Sequence, residues 1–205
     1  MKLYVASRAP SPRRVLMFLV EKGINGLDLV DVDLNALEHK GDAYRAKSPL
    51  ARVPALELDD GRVLTETRAI CTYLEGRHPT PNLMGADATE RAFIEMADRR
   101  VEWYFLLPIA NCVRHTHPGL APLEQPQFPE FGRSQGEKLR ESAAWLDGEL
   151  QRQPWVAGER FTIADITAFC ALEFAKLMRF NAGELGFVAL QAWRDRVAER
   201  PSAKT

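Results

Sequence analysis

The sequence predicts an α+β protein: a small unit mixing strands and helices, residues 1–80, followed by an all-helical unit, residues 87–205. Three observations predict it. Strand-like runs crowd into the stretch before Thr67 and almost vanish after it. The loop "HPTPNLMG", rich in Pro, Asn and Gly, separates the two textures and reads as the boundary. Beyond it, apolar residues recur at helical spacing rather than alternating.

The elements follow in order. "KLYVA" is a short apolar strand. "PRRVLMFLVEKG" is a helix, with Pro12 suited to its first turn and Gly23 to its stop. "LDLVDVDL" alternates Leu27, Leu29 and Val32 with acids, a second strand. "EHKGDAYRAKSPLARV" is irregular. "PALELDDGRVLT" is a hairpin around an Asp-Gly turn, and "ETRAICTYLEGR" is the helix that closes the unit. The order β-α-β-(α)-β-β-α makes the first two strands parallel through a crossover and adds the hairpin antiparallel to the same sheet. In the second half, Phe93, Met96, Ala97, Val101 and Tyr104 mark an amphipathic helix. "NCVRHTHPGLAPLEQPQFPEF" is Pro-rich and irregular after its first residues. Leu139, Ala143, Leu146 and Leu150 mark another helix. "FTIADITAFCALEFAKLM" is apolar all round, so it is central; Thr162 and Asp165 have the capping-box spacing, and Phe161 and Ile166 the staple positions. "FVALQAWRDRVAERP" is a last helix, stopped by Pro201.

Composition excludes several classes. The 205 residues are 46% hydrophobic and 27% charged, an ordinary globular balance, and the net charge of -1 offers no basic excess for nucleic acid. No apolar run of about 18 residues is present to span a membrane. "MKLYVAS" is too short and mixed for a signal peptide. Cys71, Cys112 and Cys170 are widely spaced in apolar runs, which fits reduced thiols and a cytoplasmic protein.

Four stretches carry chemistry. Val53-Pro54 is a plain strand start or a cis-proline turn that leaves the Val53 N–H and C=O free for an extended peptide ligand. Glu66 and Thr67 open the third helix. They cap it, through Thr65 or Thr67, or they hold a ligand carrying both charges: Thr67 its carboxylate, Glu66 its ammonium. His39, Lys40 and Arg52 gather positive charge suited to a second carboxylate, although His39 alone also reads as a surface histidine. In "ASRAPSPRRV", Ser11 is a helix N-cap or a functional hydroxyl. His115 and His117 supply two ligands at most in a Pro-rich loop, so no metal site is expected.

Taken together, "SPRRVLMFLVEKG", "HK", "SPLARVPALEL" and "ETRAI" resemble the thioredoxin-like half of the glutathione transferase superfamily. "PWVAGERFTIADITAF" and "AWRDRVAERPSAK" resemble its helical half. The resemblance runs over nearly the whole chain in the right order and is closest to bacterial phi-, theta- and nu-like members. It implies glutathione as co-substrate. The γ-glutamyl end would meet Glu66 and Thr67, the cysteinyl backbone would pair with Val53 beside Pro54, and the glycine carboxylate would sit near His39, Lys40 and Arg52. It also implies a homodimer, in which an acid of the neighbour's first long helix reaches the ammonium; Asp98 is the candidate, or else a solvated helix charge.

The resemblance makes the glutathione thiolate the nucleophile, and two devices stabilise it: a hydroxyl donating to sulfur, and a helix N-terminus. Ser11 has both, so Ser11 is the catalytic candidate. Ser7 and Arg8 border the site, and Arg13 and Arg14 add positive field. Serine-using relatives place their hydroxyl six residues before the helical valine, here Val15. That position is Ala9, a departure that keeps a glutathione-dependent disulfide-bond reductase in view. A non-catalytic transferase-like binding module is the third reading. A zeta-like isomerase is disfavoured because the Ser-Ser-Cys run of those relatives is missing. The helical half is expected to supply a pocket for a small hydrophobic electrophile from Tyr104, Phe105, Asn111 and Arg114.

Overall fold

The computed structural model describes residues 1–6 and 9–205; Ser7 and Arg8, set beside the site by the sequence reading, lie outside the described residues. The chain forms two compact units, Met1–Asn82 with Thr205, and Leu83–Lys204.

The first unit is built on a four-stranded mixed sheet, in the order β2-β1-β3-β4. Strands β1 (Lys2–Val5) and β2 (Asp28–Asp31) are parallel; β3 (Ala55–Glu57) lies antiparallel to β1 and to β4 (Val63–Thr65). Helix α1 (Pro10–Glu21) makes the β1–β2 crossover. It stops at Gly23, whose φ of 62° suits glycine, while the Ile24 N–H reaches back to the Leu19 carbonyl. The "irregular" stretch contains a 3₁₀ turn (Glu38–Lys40) and a one-turn helix α2 (Asp42–Arg45). Helix α3 (Thr67–Arg77) packs on α1. The other face of the sheet has its own core of Tyr4, Val32, Tyr44 and Ala55, with Val30, Leu34, Val53 and Val63 against it.

This corrects the phase of β2. Leu29, read as inward, is 57% exposed; Val32 is buried in the core as read, and Val30 packs partly buried against it. Strand β2 is at the edge of the sheet.

The second unit is helical: α4 (Ala88–Val101), α5 (Leu107–Thr116), α6 (Pro129–Arg152), α7 (Ile163–Ala175) and α8 (Val188–Ala198). Helix α7 is buried from Ile163 to Leu172, as its uniform apolarity predicts. Its capping box is formed: Thr162 Oγ1 accepts the Ala164 N–H, and Asp165 accepts the Thr162 N–H at 2.9 Å. Asp165 also accepts the Val156 N–H at 3.0 Å and the Trp193 indole N–H at 2.9 Å, so one buried carboxylate joins the loop before α7 to α8.

Two expectations fail here for identifiable reasons. Of the residues marking the apolar face, Val101 is fully buried, but Phe93, Met96 and Tyr104 are exposed, at 59%, 38% and 65%; the buried face is completed by Ile94, Asp98 and Phe105. Asp98 is wholly buried, accepting the Thr167 hydroxyl at 2.5 Å and an Arg99 N–H at 2.9 Å. It is therefore neither a solvated charge nor an acid free to reach a neighbouring subunit.

The long helix runs on through Pro108. A π-helical turn (Glu102–Leu106) joins α4 to α5. Pro108 has no N–H for the Tyr104 carbonyl four residues earlier, and the Ser142 hydroxyl of α6 donates to that carbonyl instead. Beyond Thr116, a 3₁₀ turn (Pro118–Leu120) and a loop lead to α6. His117 and His115 each use Nδ1 to accept a backbone N–H, from Gly119 and Phe128.

Candidate functional site

Strand register gathers the chemistry-bearing stretches at one end of the sheet. Ala55 pairs with Tyr4 on one side and with Thr65 on the other. The end of β1, the start of β3 and the end of β4 are therefore neighbours. The turn into α1, the Val53-Pro54 turn and the Glu66-Thr67 turn all emerge there. Strand β2, parallel to β1, finishes at the same edge.

Helix α1 opens with an unusual set of donors. Its N-cap is Ala9, extended and with no side-chain cap, so Ser11 is the second helical residue and not the cap. An α-helix leaves its first N–H groups without intrahelical partners. Pro10 and Pro12 have none to offer, and Arg13 bonds to the Ala9 carbonyl. The Ser11 N–H is thus the single unpaired donor of this turn among the described residues. The Ser11 hydroxyl, half-buried and without a partner among them, stands beside it at the positive end of the helix dipole.

The α3 start mirrors this. Its N-cap is Glu66, with no side-chain cap, so neither Thr65 nor Thr67 caps the helix. Glu66 has φ 65° and ψ 119°, a sparsely populated conformation for a residue with a Cβ. Such outliers cost on the order of 1–3 kcal/mol and mark places where side-chain direction is over-determined. The Glu66 carboxylate is exposed. Thr67 is buried, and its hydroxyl donates to the Ser11 carbonyl at 3.1 Å, which ties the two helix starts together. Its only proton is therefore used within the chain, and its N–H is the donor left for an anion.

The Val53-Pro54 turn is held from behind. The Val53-Pro54 bond is cis, and the Val53 N–H and C=O have no hydrogen-bond partner among the described residues. Arg52, one residue earlier, has both backbone groups fixed. Its carbonyl accepts the Tyr44 hydroxyl at 2.9 Å and the Ser48 hydroxyl at 2.8 Å, and its N–H donates to Ser48 Oγ at 3.2 Å. Burial, aided by the neighbouring Tyr4, pushes the Tyr44 phenol up to about 12, so it remains a donor. Sequence reading missed Tyr44 and Ser48. Their i, i+4 spacing in "AYRAKS" was the available signal.

The other predicted residues fall less evenly. Lys40 and Arg52 are exposed cations, whereas His39 is buried in the 3₁₀ turn and is not a surface histidine. Arg14 is buried in α1. In the helical unit, Tyr104 is exposed, and Asn111 and Arg114 are half-buried. Arg114 is paired with Glu124 at 3.0 Å. Phe105 is fully buried and has no surface to offer a substrate, because the π turn directs it inward with Val101. Cys71, Cys112 and Cys170 are free and buried, and burial raises the Cys112 thiol.

Comparison with known proteins agrees with this architecture. Residues 9–77 match the family model "Glutathione S-transferase, N-terminal domain", and residues 133–201 match "Glutathione S-transferase, C-terminal domain". Glutathione S-transferase 2 of Saccharomyces cerevisiae is 36% identical over 206 residues, covering 100% of this chain and 88% of that protein. A maleylacetoacetate isomerase of Pseudomonas aeruginosa is 42% identical over 205 residues, covering 94% and 86%. The crystal structure of a glutathione S-transferase domain-containing protein of Marinobacter aquaeolei VT8 superposes with a TM-score of 0.93 at 40% identity, over 98% of this chain and 99% of that one. With both halves matched in order and a relative aligned along the full length, the chain belongs to the glutathione S-transferase family.

Proposed function

We propose that this protein is a glutathione transferase that binds glutathione at the sheet end described above, lowers the pKa of its thiol and directs the thiolate at a small hydrophobic electrophile. The observation that carries the reading is the start of α1, where, among the described residues, a single unpaired N–H and an unpaired hydroxyl belong to one residue, Ser11, at the positive helix end. An anion is favoured there, and a sulfur accepting both donors is stabilised as thiolate. Glu66 takes the γ-glutamyl ammonium, and the Thr67 N–H takes its carboxylate. The free Val53 N–H and C=O pair with the cysteinyl backbone, as an added strand would. Lys40 and Arg52 attract the glycine carboxylate, and the buried His39 lies next to Lys40 in the 3₁₀ turn. Tyr104, Asn111 and Arg114 are the remaining candidates for contact with the electrophile.

One relative is named a maleylacetoacetate isomerase, but the Ser-Ser-Cys run of zeta-like isomerases is missing from "ASRAPSPRR". The second reading is a glutathione-dependent disulfide-bond reductase, which Ala9, six residues before Val15, keeps in view. Turnover with glutathione and an aryl halide, set against hydroxyethyl disulfide, tests the assignment. Aryl halide conjugation as the faster reaction is expected. Faster reduction of the disulfide would move the assignment to a disulfide reductase.

The exposed apolar stripe Phe93, Met96 and Trp103 supports a homodimer, since three large apolar groups on one helical face favour burial against a second copy. Light scattering is expected to give twice the 23.1 kDa chain mass, and Trp103→Arg to shift the protein toward monomer. A monomeric wild type would refute this. Among the described residues no helix is long and apolar enough to cross a membrane, and the three free thiols fit a reducing, cytoplasmic setting.

A further inference from the structure

We propose that Thr67 is a positioning residue for Ser11: its buried hydroxyl fixes the first turn of α1 so that the Ser11 N–H and hydroxyl converge on the glutathione sulfur. The inference rests on the reading of Ser11 given above and assigns Thr67 a task beyond holding a carboxylate.

The backbone of this turn has few soft torsions. Proline rings lock φ at Pro10 and Pro12, so ψ of Pro10 and the torsions of Ser11 decide where the Ser11 N–H and side chain point. The Ser11 carbonyl is the handle on those torsions. It belongs to the α1 ladder, and its second lone pair receives the Thr67 hydroxyl at 3.1 Å. Thr67 is 6% exposed and sits at the first position of α3, a helix packed on α1. A hydroxyl has one proton. Donated to the Ser11 carbonyl, it is not available to a ligand carboxylate, which leaves the Thr67 N–H for that contact. The two groups of Thr67 therefore have separable effects. Loss of the N–H contact would appear in glutathione affinity; loss of the hydroxyl would appear in the acidity of the bound thiol.

The experiment titrates the thiolate absorbance of bound glutathione and measures the glutathione Kd in wild type, Thr67→Val, Thr67→Ala and Thr67→Ser. Valine keeps the shape and the N–H, alanine provides a second hydroxyl-free variant, and serine restores the hydroxyl. The expected result is a bound-thiol pKa raised by about half a unit to one unit in the valine and alanine variants, a Kd within about twofold of wild type, and restoration by serine. An unchanged thiol pKa with a Kd raised tenfold would make Thr67 a direct carboxylate ligand and overturn the proposal. A lower melting temperature with both glutathione values unchanged would reduce the bond to a structural tie and overturn it equally. A wild type that leaves the bound thiol at its free pKa would instead remove the underlying reading, and the proposal with it.

Discussion

Asp165→Ala lowers the stability of the helical unit by about 3–5 kcal/mol, because it removes one acceptor and strands several buried donors at once. Asp165 is wholly buried and accepts the Val156 N–H, the Thr162 N–H and hydroxyl, and the Trp193 indole N–H. A capping residue on a solvated helix is worth about 1 kcal/mol. Here the same carboxylate also anchors α8 and the loop before α7, so the loss spreads across three segments. A fall of roughly 10–20 °C in Tm is expected at neutral pH for a unit of this size, read by circular dichroism.

The pH dependence gives an independent check. Burial, opposed by these four donors, moves the Asp165 carboxyl from its ordinary 3.8 to about 6. Its folded pKa lies above the unfolded value. The folded state therefore binds the extra proton, and the stabilisation is full below about pH 4 and is lost as pH rises through about 6. The difference between wild type and Asp165→Ala is expected to be larger at pH 4 than at pH 7. A difference that grew with pH across that window would show that the hydrogen bonds outweigh the burial.

Glu66→Ala weakens glutathione binding by about 10- to 100-fold while leaving the fold intact, since a charge-assisted hydrogen bond is worth roughly 1.5–3 kcal/mol. The backbone supplies a second arm to the test. Glu66 holds φ 65° and ψ 119°, and alanine in the same conformation keeps the strain. Glycine relieves it. Glu66→Gly is therefore expected to lose affinity as alanine does, yet to unfold at a higher denaturant concentration than the alanine variant, by roughly 1 kcal/mol. Calorimetric titration with glutathione and urea unfolding measure the two quantities. Unchanged affinity in both variants would remove Glu66 from the site.

Much of the first unit was legible because its signals are local. The Asp60-Gly61 turn, the Gly23 stop and the crossover order each depend on residues next to one another. The Thr162–Asp165 capping box was legible for the same reason. What was not legible depends on contacts distant in sequence. The apolar stripe of Phe93 and Met96 was visible, but its direction was not, because the face that turns inward carries Asp98, a charge made tolerable by Thr167 some seventy residues on. The donor that Pro108 lacks is supplied by the Ser142 hydroxyl, thirty-eight residues from the Tyr104 carbonyl that accepts it. The site behaves likewise. Val53-Pro54 and Glu66-Thr67 were readable as motifs, whereas the Tyr44 and Ser48 clamp on Arg52 and the Thr67 hold on Ser11 appear only when the sheet end is assembled.

The measurement that bears most directly on the account is the pH titration of the bound glutathione thiolate in wild type and in Ser11→Ala. The account predicts a thiol pKa well below that of free glutathione in wild type, by about two units, and substantially restored in the variant. A lowered pKa that survives the substitution unchanged would contradict the role given to the Ser11 hydroxyl and leave the helix end as the activator. A wild-type pKa equal to that of free glutathione would contradict thiolate activation altogether.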